Sequence, residues 1–275
     1  MEHPAYSQLR PVTESVSVVL CPNPGYASLE GTNSWIVRAE GDPHSIVIDP
    51  GPEDEGHLNV LGAKAGEVAV TLLTHRHHDH ADGAHRFRQL TGVPVRAFDA
   101  TSCEGGGIAL TDGEVISVEG VTPQIEVVAT PGHTGDSVCF FVWSGVPGES
   151  DLEGVITGDT IVGRHTTMIS ETDGDLGQYL ESLQLLEDRG QGIMLLPGHG
   201  PEGQDLAAFA RKYIDRRVYR LNQIREVQAR LGKDVDLKTL IDEIYDDVDP
   251  VLRHAAEQST RVALRYLERE SSESL

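Results

Sequence analysis

Short apolar runs rich in Val, Ile, Leu and Phe recur through the first two thirds of the chain, and most are bounded by Gly, Pro or Asp. Runs of this length and composition are typical of β-strands. The pattern predicts strands at residues 16–20, 34–37, 45–49, 68–73, 95–98, 125–129, 138–142, 155–157 and 193–196.

Apolar residues spaced three and four apart predict helices at residues 80–91 and 175–189, the second with Asp175 as its N-cap. After residue 200 the pattern is wholly helical. It predicts helices at 205–231 and 236–245, and a last helix that starts at Asp249, with Pro250 at its first position. Strands with occasional helices predict a layered α/β domain at residues 1–203, followed by a small helical domain at residues 204–275.

The net charge and the cysteines indicate which binding partners and which cellular compartment to expect. The 275 residues include 22 Lys or Arg and 44 Asp or Glu, and the net charge of −22 argues against a general nucleic-acid-binding protein. Cys21, Cys103 and Cys139 form no CxxC pair, so we expect neither a disulfide framework nor a thiolate zinc site. We see no signal-peptide pattern and no apolar run long enough to span a membrane, so we expect a cytoplasmic protein.

Residues 74–80, THRHHDH, crowd ligand-type side chains directly after an apolar run that is predicted to be a buried strand. His75 and His77 alternate along an extended segment, so both can point the same way. Asp79 and His80 follow at the start of a helix. Imidazole and carboxylate groups suit Zn²⁺, and also Fe or Mn, and the spacing favours a metal site over a solvated histidine-rich turn.

This motif resembles the signature of the metallo-β-lactamase superfamily, and the rest of that pattern follows in order. His133 lies in ATPGHTGDS, Asp159 in ITGDTIV and His199 in LLPGHG. The resemblance implies a four-layer αββα sandwich with the site at one edge, where strand-end loops converge. It implies one metal held by His75, His77 and His133, a second held by Asp79, His80 and His199, and Asp159 as a bridge between them.

The chemistry that the resemblance implies is hydrolysis. Two divalent cations, expected to be zinc, can share one water and make it hydroxide near neutral pH, and that hydroxide attacks an electrophilic carbon or phosphorus. Asp79 is the expected catalytic residue, because it can orient the hydroxide as well as bind metal. His78 is expected to point away. Asp49 in IDPG is either a residue that orients a ligand or an ordinary turn aspartate.

The stretches GDTIVGRHTTMIS, GDLGQYLESLQLL and LLPGHGP, with the tail from residue 236, resemble a narrower group, the β-lactamase-like proteins related to glyoxalase II. That group carries a small winged-helix-like C-terminal domain and includes acyl-thioester hydrolases and endoribonucleases. We therefore expect hydrolysis of a thioester or related ester, on a small molecule or an acyl carrier, with cleavage of single-stranded RNA as the alternative. A mono-iron persulfide dioxygenase keeps most of these ligands and is a third interpretation, and a non-enzymatic nucleic-acid-binding protein is a fourth.

The predicted helix at 205–231 is a basic island, with seven Lys or Arg residues against three acidic ones. Lys212, Arg216 and Arg220 lie four residues apart and share a face. This face is either a substrate-binding grip for the phosphate of RNA, coenzyme A or a phosphopantetheine arm, or a surface that pairs with acidic residues of the large domain. Residues 32–34 and 164–167 are expected at the rim of the pocket.

Overall fold

The structure, a computed structural model, describes residues 5–245 and 253–273. One sheet has six strands in the order β1 to β6, which are Leu9–Pro11, Val16–Leu20, Asn33–Val37, His44–Ile48, Glu67–Leu72 and Val95–Arg96. The second sheet has the order β11-β10-β9-β8-β7, and its strands β7 to β11 are Val115–Ile116, Gln124–Ala129, Val138–Trp143, Leu152–Gly158 and Leu195–Pro197. Helices α1 to α7 are Glu55–Ala65, His78–Ala81, Gly83–Thr91, Leu176–Arg189, Leu206–Leu231, Leu237–Ile244 and Arg253–Glu273.

The two sheets face each other across a buried apolar core. The first sheet contributes Trp35, Ile46 and Leu72 to this core, and the second contributes Ile125, Phe140 and Ile156. Helices α1 and α3 cover the outer face of the first sheet with Leu58, Leu61 and Phe87. Helices α4 and α5 cover the outer face of the second with Tyr179, Leu183 and Tyr213. The predicted αββα order of layers is therefore confirmed.

The predicted strands are all present, although 95–98 shortens to β6 and 193–196 moves to β11. Strands β1 and β7 and helix α1 were not expected. The helix predicted at 80–91 is two helices, α2 and α3. They meet at Gly83, whose N–H donates to the Gly51 carbonyl over 2.9 Å, and a Cβ on Gly83 would lie 2.7 Å from the Pro52 carbonyl oxygen.

Helices α5, α6 and α7 pack on the outer face of the second sheet, where Leu221, Leu240 and Val262 join the same apolar cluster as Leu183 of α4. The domain boundary near residue 203 and the winged-helix-like character of the C-terminal part remain predictions. The predicted helix start at Asp249 and Pro250 lies outside the described residues. Among the described helices, none combines the length and the apolarity that crossing a membrane requires.

Helix α1 buries a histidine against the first sheet. Asp54 caps the helix by accepting a hydrogen bond from the backbone N–H of His57 over 2.9 Å. The Nε2 of His57 lies 2.9 Å from the Ser34 hydroxyl, and the side chain is 1% exposed. Burial lowers the pKa of His57 to about 4, although the nearby Asp54 carboxylate acts in the opposite direction.

This histidine should make the fold sensitive to acid. An unfolded imidazole takes up a proton below about pH 6.5, whereas the folded one does so only near pH 4. The stabilisation is therefore complete above about pH 6.5 and is lost as the pH falls toward 4. Between about pH 7.5 and pH 5, we expect the free energy of unfolding to fall by about 2 kcal/mol more in the wild type than in His57→Gln. Urea unfolding of both proteins at the two pH values measures this, and an equal fall in both would contradict it.

Candidate metal centre

The strand-end loops of both sheets converge on one edge of the sandwich. His75 and His77 follow β5, and Asp79 and His80 lie on the short helix α2. On the other side, His133 follows β8, Asp159 follows β10 and His199 follows β11. The structure thus brings together all seven side chains that the sequence singles out, in two groups: His75, His77, His133 and Asp159, and then Asp79, His80 and His199.

The first group has three ring nitrogens that face one another. The Nδ1 of His77 lies 3.0 Å from the Nε2 of His75 and 3.0 Å from the Nε2 of His133. The Oδ2 of Asp159 lies 3.8 Å from the Nε2 of His133. A tetrahedral zinc site with Zn–N bonds of about 2.0–2.1 Å holds its nitrogens roughly 3.3 Å apart. These separations are therefore those of a ligand set that surrounds one small cation.

The second group lies beside the first and shares Asp159 with it. The Nε2 of His199 is 3.1 Å from the Nε2 of His80 and 3.2 Å from the Oδ2 of Asp79. The Oδ1 of Asp159 is 3.4 Å from the Nε2 of His80 and 3.3 Å from the Nε2 of His199. The two oxygens of Asp159 therefore face different groups, and its buried Oδ1 accepts no hydrogen bond within the described structure.

Hydrogen bonds at the outer ring nitrogens fix the tautomers of four histidines. In each case the Nδ1 atom lies near an oxygen. The Nδ1 of His80 is 2.8 Å from the Asp49 carboxylate, and that of His75 is 3.0 Å from the Thr74 hydroxyl. The Nδ1 of His133 is 2.7 Å from the Met168 carbonyl, and that of His199 is 3.1 Å from the Gly31 carbonyl. Carbonyl and carboxylate oxygens only accept, so the Nδ1 atoms of His80, His133 and His199 carry the proton. In the neutral imidazoles, the Nε2 atoms then carry lone pairs directed into the centre, as a metal ligand requires.

Asp49 holds the core of this arrangement. It is fully buried, and it accepts hydrogen bonds from the backbone N–H of Thr74 (2.8 Å), the hydroxyl of Thr74 (2.6 Å) and the ring of His80 (2.8 Å). Because the Thr74 hydroxyl donates to Asp49, it accepts from the Nδ1 of His75. The φ of Asp49 is +52°, in the left-handed region. These contacts favour the first interpretation of Asp49, a residue that orients a ligand.

The electrostatics of the centre attract positive charge. Burial lowers the pKa of His199, but the carboxylates of Asp159 and Asp79 outweigh it and raise the pKa to about 9. Burial likewise opposes a proton on His80, yet Asp159 and Asp49 raise its pKa well above the usual value. Burial raises the pKa of Asp79, but His199 and His80 outweigh this and lower it, so Asp79 is a carboxylate at neutral pH. A pocket that draws in protons for this reason also draws in metal cations.

His78 and the residues expected at the pocket rim differ in how near they lie to the seven ligand-type side chains. The His78 side chain is 81% exposed and belongs to neither group, although its Nδ1 lies 3.9 Å from the Asp79 carboxylate. Thr32 is buried behind the centre, where its hydroxyl donates to the Asp79 carbonyl over 3.0 Å. Arg164 is exposed and pairs with Glu30, whereas Thr167 has its hydroxyl 3.2 Å from the Nδ1 of His133.

Of the three basic residues that share a face of helix α5, one contacts the protein and two are exposed to solvent. Arg220 donates to the Ile244 carbonyl over 2.9 Å, and its guanidinium lies 4.0 Å from the centre of the Tyr245 ring. Lys212 and Arg216 are exposed, and neither forms an ion pair within the part of the chain that the structure describes. Among the other basic residues of the helix, Arg211, Arg225 and Arg230 pair with Glu187, Glu270 and Glu243.

Sequence reasoning did not find the backbone groups that orient the ligands. The carbonyls of Met168 and Gly31 bond to His133 and His199, yet any residue type supplies a carbonyl. Their position follows only from the folded path of two loops. Thr74 did carry a signal, since its side chain directly precedes the motif at the end of a buried strand.

Comparison with known proteins agrees with this geometry. The family model of the metallo-β-lactamase superfamily matches residues 27–199. An atrochrysone carboxyl ACP thioesterase from Aspergillus fumigatus is 33% identical over 214 residues, which are 75% of this chain and 62% of that protein. A β-lactamase-like protein 2 homolog from Caenorhabditis elegans is 26% identical over 96% of this chain and 88% of its own length.

Solved structures show the same fold. A β-lactamase domain protein from Burkholderia ambifaria has a TM-score of 0.80 at 16% identity, covering 98% of this chain and 90% of its own. A metallo-β-lactamase family protein from Thermus thermophilus has a TM-score of 0.72 at 19% identity, covering 94% of each chain. The family model, the seven converging ligand-type side chains and the αββα layers all agree, and the chain belongs to the metallo-β-lactamase superfamily.

Proposed function

We propose that this chain is a metal-dependent hydrolase that cleaves a thioester or a related ester. The observation that carries the proposal is the position of Asp159, whose two carboxylate oxygens lie between a group of three imidazoles and a group of two imidazoles and one carboxylate. The carboxylates of Asp79 and Asp159 lie among the inward-facing imidazole nitrogens, and Asp49 supports His80 from its outer side. Such a donor set suits two divalent cations, for which zinc is the proposed identity.

Two cations bound by these residues would lower the pKa of a shared water toward neutrality and polarise the scissile carbonyl. Asp79 has its carboxylate at the solvent side of the cluster, 14% exposed. A carboxylate in this position can accept a hydrogen bond from a water molecule at the centre. Its proposed catalytic role is to orient the attacking water by accepting a hydrogen bond from it.

A thioester fits this centre better than a phosphodiester in one chemical respect. A thiol has a pKa near about 8.5, so a thiolate leaves at neutral pH without a proton donor. The seven converging side chains supply carboxylates and imidazoles that are directed at one another, and a general acid is not needed for such a leaving group. The Aspergillus fumigatus relative, of which this chain spans 62%, is named as a thioesterase of an acyl-carrier substrate.

The substrate-binding role proposed for helix α5 rests on Lys212 and Arg216, because Arg220 already has protein partners. Elsewhere on α5, Phe209 lies beside Gly203, and the buried Tyr213 accepts a hydrogen bond from the backbone N–H of Val162 over 3.2 Å. Gly203 and Val162 lie on the segments that follow His199 and Asp159. Helix α5 is thereby held against segments that leave the centre, and we propose that its exposed Lys212 and Arg216 bind the phosphate of a phosphorylated arm or carrier.

Metal binding tests the centre directly. We expect purified protein to carry about two zinc equivalents, as in the dinuclear sites of this chemistry. His77→Ala should lose metal and hydrolytic activity together, because the Nδ1 of His77 lies 3.0 Å from two other ring nitrogens. His78→Ala is the matched control, since its side chain is exposed. Elemental analysis of both variants measures the loss, and full activity in chelator-treated wild type would rule the metal mechanism out.

A paired assay on one metal-loaded preparation tests the substrate class. We expect turnover of acyl-coenzyme A or acyl-carrier thioesters and no cleavage of single-stranded RNA. Cleavage of RNA without thioester turnover would replace the proposal with the endoribonuclease alternative. Oxygen uptake on a persulfide by an iron-loaded sample would favour the dioxygenase instead.

Charge reversal on helix α5 tests the substrate-binding surface. Lys212→Glu with Arg216→Glu should raise KM for a carrier-bound thioester several-fold, more strongly at low salt, because the effect is electrostatic. Turnover of a small uncharged thioester should not change. Lys64→Glu, an exposed cation on α1, is the matched control. An equal KM in the double variant and the control would remove Lys212 and Arg216 from substrate binding.

A further inference from the structure

The segment between strand β10 and helix α4 carries groups that orient His133. The Met168 carbonyl lies 2.7 Å and the Thr167 hydroxyl 3.2 Å from the Nδ1 of this histidine. Farther along, the backbone N–H of Asp175 donates to the carbonyl of Gly132 over 3.0 Å. The position of residues 167–175, here called the 167–175 segment, therefore sets the orientation of one imidazole of the centre.

Arginines from the C-terminal helices hold this segment. Arg217 of α5 donates to the Thr167 carbonyl over 2.6 Å. Arg265 of α7 donates twice to Glu171, to its backbone carbonyl and to its carboxylate, each over 2.7 Å. Arg269 of α7 lies 2.6 Å from the carboxylate of Asp175. Two helices that contribute none of the seven ligand-type side chains thus fix the segment that contacts one of them.

A second attachment links the segment to the metal motif itself. Arg76, which lies between His75 and His77 in the chain, has its guanidinium 2.5 Å from the carboxylate of Asp173. The 167–175 segment is therefore held from the motif on one side and from α7 on the other. On the α7 side, Arg265 and Arg269 line a cavity of about 470 Å³ at the start of α4. Both arginine side chains are 54% exposed, so removing either one leaves no hole in the packed core.

We infer that Arg265 is a positioning residue of the metal centre, which acts through Glu171 to hold the 167–175 segment and, with it, the Met168 carbonyl that orients His133. The inference rests on the proposed metal-binding role of His133. A guanidinium that makes two parallel bonds restrains both distance and angle, which one bond from a lysine does not. Without this restraint the Met168 carbonyl moves more widely, and the Nε2 of His133 points into the centre for a smaller share of the time.

Two other arginines, Arg261 of α7 and Arg225 of α5, serve as matched controls. Arg261 lies one helical turn before Arg265, is exposed to a similar degree, and pairs with Glu257 within the same helix. Arg225 of α5 pairs with Glu270 and so attaches α7 to α5 without contacting the 167–175 segment. The Glu171 carboxylate also acts on the Arg261 guanidinium through space, so Arg261→Ala controls for loss of a nearby positive charge without loss of a hydrogen bond to Glu171. Arg225→Ala controls for loosening of the whole helix.

The experiment titrates metal-free protein with Co²⁺, followed by absorption, and with Zn²⁺ in competition with a chromophoric chelator. Losing a direct partner of a metal ligand costs about 10- to 100-fold in metal affinity. Because Arg265 acts one step farther out, Arg265→Ala should weaken one of two bound cations by roughly 3- to 10-fold. It should also speed amide hydrogen exchange in the 167–175 segment. Arg265→Lys should recover part of the affinity, and both controls should match the wild type.

Equal metal affinity in Arg265→Ala and Arg261→Ala would overturn the inference. An equal weakening in Arg225→Ala would also overturn it, because the effect would then come from the docking of α7 as a whole. Wild-type protein that binds no divalent cation would overturn both this inference and the proposed metal centre. Since the titration uses no substrate, a failure of thioester turnover with intact metal binding affects the proposed function alone.

Discussion

The hydrogen bond between the Asp49 carboxylate and the ring of His80 joins the middle of the first sheet to the metal motif. Asp49 follows β4, and its carboxylate also takes both donors of Thr74, which follows the neighbouring parallel strand β5. Three elements therefore meet at one buried charge. A buried carboxylate is costly unless donors surround it, so the ends of β4 and β5 and the start of α2 are fixed relative to one another.

The second sheet is attached to this unit at the seam between the sheets. The backbone N–H of Val138 in β9 donates to the Thr74 carbonyl over 2.9 Å, which connects the motif to the far sheet. Asp159 then extends from the end of β10 toward His80 on the near side. The centre thus spans the interface of two sheets whose apolar faces are already packed, and cations bound there would join the same two layers. Metal binding at this position would therefore stabilise the sandwich as well.

Much of this architecture could be predicted from sequence, because the features that specify it are local. Buried strands such as β9 are nearly continuous apolar runs, and Asp175 precedes helix α4 as a visible cap. The seven ligand-type residues were found through their motifs. Helix α1 was missed because Gly56 and Gly62 lower its helix propensity, and the two-residue strand β7 is too short to show a period. The carbonyls of Met168 and Gly31 and the arginines that hold the 167–175 segment gave no signal, since their roles depend on contacts between distant parts of the chain.

The backbone of Asp49 restricts which residues can occupy this position. Its φ of +52° lies in a region that glycine enters freely, asparagine and aspartate enter occasionally, and most other side chains avoid. Glycine would relax the backbone yet remove every acceptor, and glutamate would keep the charge but fit neither the backbone nor the short distance to Thr74. A relaxed backbone at this position favours glycine, whereas an ordered His80 ring requires a short carboxylate. Aspartate meets the second requirement at the expense of the first.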